Sequence, residues 1–119
     1  MESEQRPWGA WHVLDEGRGY KVKRLEVRPG TRLSYQTHEH RSEHWTVVQG
    51  TATCVLDGET FEVKTGGSLD VGIGTPHRIA NRHDDELVVI EVQRGDYTGE
   101  DDICRLQDDY GRDEGSEAR

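Results

Sequence analysis

The chain has 119 residues and carries 15 basic and 24 acidic side chains, for a formal net charge of −9. This length allows one domain, and the acidic balance argues against nucleic acid and anionic membranes as partners, because both repel a chain of this sign. No stretch approaches the ~20 consecutive apolar residues of a membrane helix, and the acidic N-terminus lacks the apolar run of a secretory signal. We therefore expect a cytoplasmic protein.

Short runs rich in β-branched and aromatic residues recur along the chain, whereas no long segment shows helical apolar spacing. The predicted strands cover residues 20–27, 33–40, 43–49, 51–56, 59–63, 68–71, 78–81 and 86–93. Asp57-Gly58, between the fourth and fifth of them, is the strongest hairpin signal in the chain. This pattern predicts one all-β domain, a sandwich or small barrel, over residues 1–112. Residues 113–119 are small and charged, and we expect an acidic disordered tail there.

Four of the six histidines fall in two places along the chain: His38, His40 and His44 together, and His77 further on. Residues two apart on a strand share a face, so Gln36, His38 and His40 are predicted to point the same way. An isolated His-x-His pair is more often two solvated imidazoles. Together with Glu43 and the distant His77, however, it could bind Zn, Mn, Co, Ni or Fe and leave positions open for water or substrate.

These residues carry a resemblance to the cupin superfamily. The segment from Gly30 to Gly50 resembles its first motif, and Gly66-x5-Gly72-Ile73-Gly74-x2-His77-x3-Asn81 resembles its second. The resemblance implies a single-domain cupin, a double-stranded β-helix or jelly-roll barrel. The metal ligands that it implies are His38, His40, Glu43 and His77, with Gln36 and His44 in reserve.

The match to the cupin motifs departs from the usual pattern in two places. His40 and Glu43 are separated by two residues instead of the usual three or four, which leaves open whether Glu43 or His44 is the third ligand. Gly72 stands where the second motif usually has proline.

A narrower similarity extends over residues 6–112. It is carried by Arg6-Pro-Trp-Gly, by LSYQ-x-H-x-HRSEHW from Leu33, and by EVQRG-x-Y-x-GEDDI from Glu91. These segments resemble the cupin domain of type II mannose-6-phosphate isomerases, which in many members follows a sugar-nucleotide pyrophosphorylase domain. The 119 residues hold no counterpart of that second domain, so the resemblance does not carry over guanylyltransferase activity. It implies interconversion of mannose 6-phosphate and fructose 6-phosphate.

Aldose–ketose isomerisation moves a proton between adjacent carbons, so it requires a base near C2 and an electrophile on the substrate oxygens. A divalent metal supplies such an electrophile. His44 and Glu91 are the candidate bases, because imidazole titrates near neutrality and burial can raise the pKa of a carboxyl group. The phosphate requires cations, for which Lys23, Arg41 and Arg78 are the candidates.

Two other functions stay open at this point. One is a non-catalytic, metal-containing cupin that binds a sugar phosphate or a nucleotide sugar. The other is an Fe(II) oxygenase, which the basic residues around the predicted site disfavour. In each case we expect a homodimer, because a domain with 31% hydrophobic residues is marginal alone and sheet edges favour pairing.

Cys54 and Cys104 lack metal-ligand or redox spacing, so we expect two reduced thiols. Trp8, Trp11 and Trp45 are expected to serve packing rather than sugar binding.

Overall fold

Eleven strands and no helix make up residues 2–111, the part of the chain that the computed structural model describes. The strands are β1 (Ser3–Arg6), β2 (Gly9–Gly17), β3 (Tyr20–Val27), β4 (Tyr35–Thr37), β5 (Arg41–Gln49), β6 (Thr51–Leu56), β7 (Glu59–Lys64), β8 (Ser68–Val71), β9 (His77–Ala80), β10 (Leu87–Gly95) and β11 (Cys104–Gln107). The predicted tail, residues 113–119, lies outside the described residues. Over the described range, nothing helical is long and apolar enough to cross a membrane.

The strands form two antiparallel sheets. One has six strands in the order β1-β2-β3-β10-β5-β8, and the other has five in the order β11-β4-β9-β6-β7. Neighbours such as β3 and β10 come from opposite ends of the chain, as in jelly-roll barrels. The all-β prediction is confirmed.

Several strands lie where the local sequence pattern places them. The predictions for residues 20–27, 51–56 and 68–71 match β3, β6 and β8 residue for residue. Asp57 and Gly58 join β6 to β7 with φ angles of 48° and 84°. A two-residue hairpin turn of type I′ requires positive φ at both positions, which explains the Asp-Gly pair.

The predicted strand at residues 33–40 is shorter in the structure, because β4 ends at Thr37. The backbone N–H groups of Glu39 and His40 donate to the two carboxylate oxygens of Asp102, at 2.9 and 3.0 Å, and not to a neighbouring strand. The chain bends at this point, so residues beyond His38 no longer follow strand alternation.

Strands β1, β2 and β11 were not predicted. β1 and β11 are edge strands, one in each sheet. β1 is half-exposed and polar, with the sequence Ser-Glu-Gln-Arg. Edge strands of this kind lack the apolar alternation by which a strand is recognised. Their pairing partners, β2 and β4, hold them in place.

The hydrophobic core lies between the two sheets. Its buried side chains are Trp8, Trp11, Val13, Leu25, Val27, Trp45, Val47, Ala52, Cys54, Val71, Ile79, Leu87 and Val89. The three tryptophans are part of this cluster, as the expectation of a packing role requires.

The inner face of the six-stranded sheet changes character along its strands. At one end its buried side chains are apolar: Leu25, Val27, Val47, Leu87 and Val89. At the other end they are polar or charged: Lys21, Lys23, Arg41, Glu43, Glu91 and Gln93. The strands therefore position a charged cluster at one mouth of the barrel, over an apolar floor.

Leu87→Ala is expected to lower the free energy of unfolding by about 2–5 kcal/mol, because it leaves a cavity at a side chain with 0% exposure. Urea denaturation followed by tryptophan fluorescence measures the change. Ile73→Ala is the matched control, since Ile73 is 59% exposed and should shift stability by less than about 0.5 kcal/mol. Equal losses in the two variants would contradict this account of the core.

Candidate metal centre and surrounding pocket

Three buried side chains from separate parts of the fold meet at the charged mouth of the barrel. His38 follows β4, Glu43 lies in β5 and His77 begins β9, and their potential ligand atoms all lie within 4.8 Å of one another. The His38 Nε2 atom is 3.1 Å from Glu43 Oε2 and 3.1 Å from His77 Nε2. His77 Nε2 is 3.8 Å from Glu43 Oε1.

Backbone carbonyls orient both imidazoles. The Nδ1 of His38 lies 2.6 Å from the carbonyl oxygen of Asp102, and the Nδ1 of His77 lies 2.9 Å from that of Thr75. Since a carbonyl oxygen can only accept, each Nδ1 donates its proton and each Nε2 faces the cluster. A backbone carbonyl that fixes one ring nitrogen in this way leaves the other nitrogen free to coordinate a metal.

The electrostatics of the cluster also suit a cation. Burial lowers the pKa of His77, so an added proton is disfavoured there. Burial alone would raise the pKa of Glu43, but hydrogen bonding to His38 and nearby positive groups, Arg41 among them, hold it well below its usual value. Two imidazole nitrogens and an ionised carboxylate this close repel one another unless a proton or cation lies among them. The Arg41 guanidinium supplies positive charge at this point, with its Nη2 atom 2.9 Å from Glu43 Oε2 and 3.3 Å from His38 Nε2. The donor set fits a divalent transition metal.

Gln36, and not His40, shares the pocket with this cluster. Gln36 pairs with His77 across β4 and β9 and lines the pocket. His40 turns outward after the bend at Asp102, with its side chain 50% exposed and its Nδ1 atom 3.5 Å from Asp96. The structure thus corrects the shared face expected for His38 and His40.

A sequence signal for this assignment exists in the motif spacing. Four residues separate His38 from Glu43, within the usual three or four, whereas only two separate His40 from Glu43. By this spacing His38 is the second ligand position of the motif, and Gln36 is the first.

Glu91 lies in the same pocket as the cluster. It sits on β10, opposite Lys23 of β3 and Trp45 of β5, and accepts a hydrogen bond of 2.7 Å from Gln93. Burial and the neighbouring Glu43 raise the pKa of Glu91, although Arg41 and Lys23 partly oppose the shift. A buried carboxyl group with a raised pKa can both accept and return a proton near neutral pH.

His44 lies outside the pocket, contrary to its candidacy as a base. It follows Glu43 directly on β5, so strand alternation directs it to the opposite face of the sheet. Its Nδ1 atom is 2.6 Å from Asp70 Oδ1 at the exposed surface.

Two of the three candidate phosphate ligands line the pocket. Lys23 Nζ donates to Glu100 Oε1 at 2.6 Å and lies 4.0 Å from the centre of the Trp11 ring. Arg41 donates through Nε to Glu43 Oε2 at 2.9 Å. Both cations are buried, in contrast to an ordinary solvated surface charge.

Arg78 is buried elsewhere. It follows His77 on β9 and so faces away from the cluster, where its guanidinium donates to the backbone oxygen of Leu33 at 2.8 Å. It also donates to the side chain and backbone oxygens of Gln107, at 2.7 and 3.2 Å. Arg78 therefore ties β9 to β11 and does not reach the pocket.

Arg78→Met is expected to lower the free energy of unfolding by about 1–3 kcal/mol, because it removes the hydrogen bonds of a buried guanidinium to oxygens of Leu33 and Gln107. The affinity for mannose 6-phosphate, measured by isothermal titration calorimetry, should not change. Arg24→Met removes an exposed arginine from β3 and is the control for charge. Loss of sugar-phosphate affinity in Arg78→Met but not in Arg24→Met would show that Arg78 contributes to the binding site.

The sequence patterns assign no candidate role to Glu100, and Asp102, which its position in an acidic C-terminal stretch predicts to be solvated, is buried. Glu100 lines the pocket together with Arg6 and Arg105, and Asp102 sets the bend that orients His38. Both acids lie in residues 96–103, the loop between β10 and β11. This loop returns over the barrel mouth. Its contact between Asp102 and His38 joins residues 64 positions apart in the chain, and no local pattern reveals it.

Two antiparallel sheets closed over a His/Glu cluster define a barrel of the cupin class. The solved Schizosaccharomyces pombe Cnp3 cupin domain has the same fold, with a TM-score of 0.69 at 18% identity over 73% of this chain and 64% of that one. The family model described as "Mannose-6-phosphate isomerase C-terminal" matches residues 2–108. The chain belongs to this mannose-6-phosphate isomerase C-terminal family.

Curated relatives share the family region. The alginate biosynthesis protein AlgA of Pseudomonas aeruginosa is 50% identical over 107 residues, which cover 90% of this chain and 22% of AlgA. The mannose-1-phosphate guanylyltransferase ManC of Salmonella typhimurium is 44% identical over 107 residues, 90% of this chain and 22% of ManC. The chain thus spans less than a quarter of the length of these relatives.

Proposed function

We propose that the chain is a metal-dependent sugar-phosphate isomerase that interconverts mannose 6-phosphate and fructose 6-phosphate. Family membership supports the substrate class. The observation that carries the proposal is the composition of one pocket, in which Glu91 and Lys23 line the same cavity as His38, Glu43 and His77. A base, a cation for phosphate and a set of metal ligands are the three requirements of the reaction.

In this proposal His38, Glu43 and His77 hold a divalent metal, with Gln36 beside them. When bound, the metal would supply the electrophile that polarises the substrate's oxygens. Glu91 takes the proton from C2 of mannose 6-phosphate and returns it to C1, the former carbonyl carbon, which its raised pKa favours. The proton of the C2 hydroxyl passes to the former carbonyl oxygen, so that C1 becomes a hydroxymethyl group and C2 a ketone. Trp8, Trp11 and Trp45 line the pocket and exclude water from the reacting carbons.

The first experiment is turnover of mannose 6-phosphate by protein loaded in turn with Zn, Co, Mn, Ni or Fe(II), with fructose 6-phosphate followed by NMR. Metal-stripped protein is the control. Metal-dependent product is the expected result. Absence of product with every metal would overturn the isomerase; broadening of the sugar-phosphate signals would then favour a binding module, and oxygen consumption with Fe(II) an oxygenase.

We also propose that the chain works as a homodimer in the cytoplasm. β1, β7, β8 and β11 are the sheet edges, whose unpaired backbone groups favour association. Cys54 and Cys104 are free thiols, the usual state in a reducing compartment. Light scattering during size-exclusion chromatography should give twice the chain mass, and the mass of one chain would contradict the dimer.

A further inference from the structure

Two buried lysines lie side by side at the mouth of the barrel. Lys21 and Lys23 are two residues apart on β3, so both face the interior, and their side chains are 6% and 5% exposed. Buried ammonium groups are costly unless an anion compensates them. The identity of that anion therefore bears on what this end of the pocket can bind.

The compensating anion is Glu100, supplied by the loop at residues 96–103. Its Oε1 atom accepts a 2.6 Å hydrogen bond from Lys23, and its Oε2 atom lies 3.4 Å from Lys21 Nζ. Burial alone would raise the pKa of Glu100, but Lys23, Arg41 and Lys21 outweigh it and hold the pKa below its usual value. Two other carboxylates lie near the pair: Glu16 Oε2 is 4.0 Å from Lys21 Nζ and more exposed, and Glu91 lies opposite Lys23 across β3 and β10.

The carboxylate and the lysines differ in how easily they can move. The side chain of Glu100 is 37% exposed and belongs to a loop, so a rotation about its side-chain bonds can release it into water. Lys21 and Lys23 are fixed on a central strand, and Lys21 also donates to the backbone oxygen of Thr98 at 2.8 Å. The cationic pair would persist if Glu100 left.

Charge matching identifies what could replace Glu100. Departure of the carboxylate leaves two buried positive charges, and a phosphate monoester carries about −1.5 to −2 near pH 7. Lys23 and Glu100 line the pocket of the metal cluster, and Lys21 lies behind them, 3.4 Å from Glu100 Oε2, so a ligand that takes the place of Glu100 meets both lysines. Arg41 lies at the same wall, with its Nη1 atom 3.5 Å from the backbone oxygen of Gly99.

We propose that Lys21 and Lys23 form the subsite for the substrate's phosphate group, and that the Glu100 carboxylate occupies this subsite until a phosphate monoester displaces it. The inference rests on the proposed sugar-phosphate isomerase function and adds an internal competitor to it. Glu100 acts as a stand-in anion: it keeps the lysines compensated in the free protein and lowers the affinity for phosphate.

The test is calorimetric titration of the full chain with inorganic phosphate at constant ionic strength. Glu100→Gln keeps the size of the side chain and removes its charge. Its Kd for phosphate should be about tenfold lower than that of the wild type, the factor expected when one charge-assisted competitor is lost. Asp96→Asn removes the same charge from the same loop at a residue that is largely exposed and contacts His40 instead, so its Kd should stay near the wild type.

An equal or higher Kd in Glu100→Gln would overturn the proposal, because it would mean that Glu100 orients the lysines for binding. An equal fall in the phosphate Kd of Asp96→Asn would also overturn it, since the effect would then come from the net charge of the protein and not from the position of Glu100. A measurement on the wild type does not depend on variant folding: phosphate should shift the backbone amide signal of Glu100 in a ¹H–¹⁵N spectrum. The absence of that shift at saturating phosphate would contradict displacement.

This experiment separates the subsite from the isomerase. Phosphate binding needs neither turnover nor metal, so the expected change in Kd with no product from mannose 6-phosphate would uphold the subsite and refute the isomerase. Turnover of mannose 6-phosphate with no fall in the phosphate Kd of Glu100→Gln would uphold the isomerase and refute the subsite.

Discussion

Glu91→Gln is expected to lower kcat for isomerisation of mannose 6-phosphate by roughly 10²–10⁴-fold, the usual contribution of a positioned general base. The variant keeps the size of the side chain and the hydrogen-bonding position beside Gln93. Metal content, measured by mass spectrometry of the desalted protein, should stay at the wild-type value. The loss is then chemical and not a loss of the site.

His44→Gln is the matched control for Glu91→Gln. Both residues are candidate bases on sequence grounds, but His44 pairs with Asp70 on the outer face of β5. Its variant should retain a kcat close to that of the wild type. Full activity in Glu91→Gln together with loss in His44→Gln would reverse the assignment.

The pH profile supplies an independent measure of the same residue. Glu91 must be ionised to accept a proton, so activity should rise with pH through its pKa. Burial and the neighbouring Glu43 raise that pKa, whereas a divalent cation at Glu43 would lower it, so the position of the acid limb in the metal-loaded enzyme measures the balance of the two effects. The limb should disappear in Glu91→Gln.

His38→Ala is expected to weaken metal binding by more than about 100-fold. Loss of a direct ligand should cost more than loss of a residue that only hydrogen-bonds to a ligand, which typically weakens binding by about 10–100-fold. It removes one of only two imidazoles in the cluster of His38, Glu43 and His77. The measurement is metal content after dialysis against metal-free buffer, compared with wild type. His77→Ala should behave in the same way.

His40→Ala, two residues along the chain, should keep the wild-type metal content. Its imidazole is exposed and lies next to Asp96, away from the cluster. Unchanged metal in both His38→Ala and His77→Ala would refute the centre, and loss of metal in His40→Ala would refute the outward placement of His40.

Local sequence patterns are enough to predict the strands whose two faces meet different surroundings. β3 and β5 alternate largely between buried and half-buried positions, and the Asp57-Gly58 turn has the backbone angles that its residues favour. Strand alternation also places Lys21 beside Lys23 on one face and separates Glu43 from His44. The His/Glu motif indicated His38, His40, Glu43 and His77, of which all but His40 meet in the cluster.

Residues that a local pattern makes equivalent are distinguished by long-range contacts. His40 lies two residues from His38, and Arg78 follows His77 directly. Asp102 nevertheless bends the chain away at His40, and Gln107 and Leu33 hold Arg78 outside the pocket. Glu100 reaches Lys23 across 77 residues of chain. Contacts of this kind depend on how β10, β11 and their connecting loop return over the barrel, and chain closure over such distances leaves no periodic signal in the sequence.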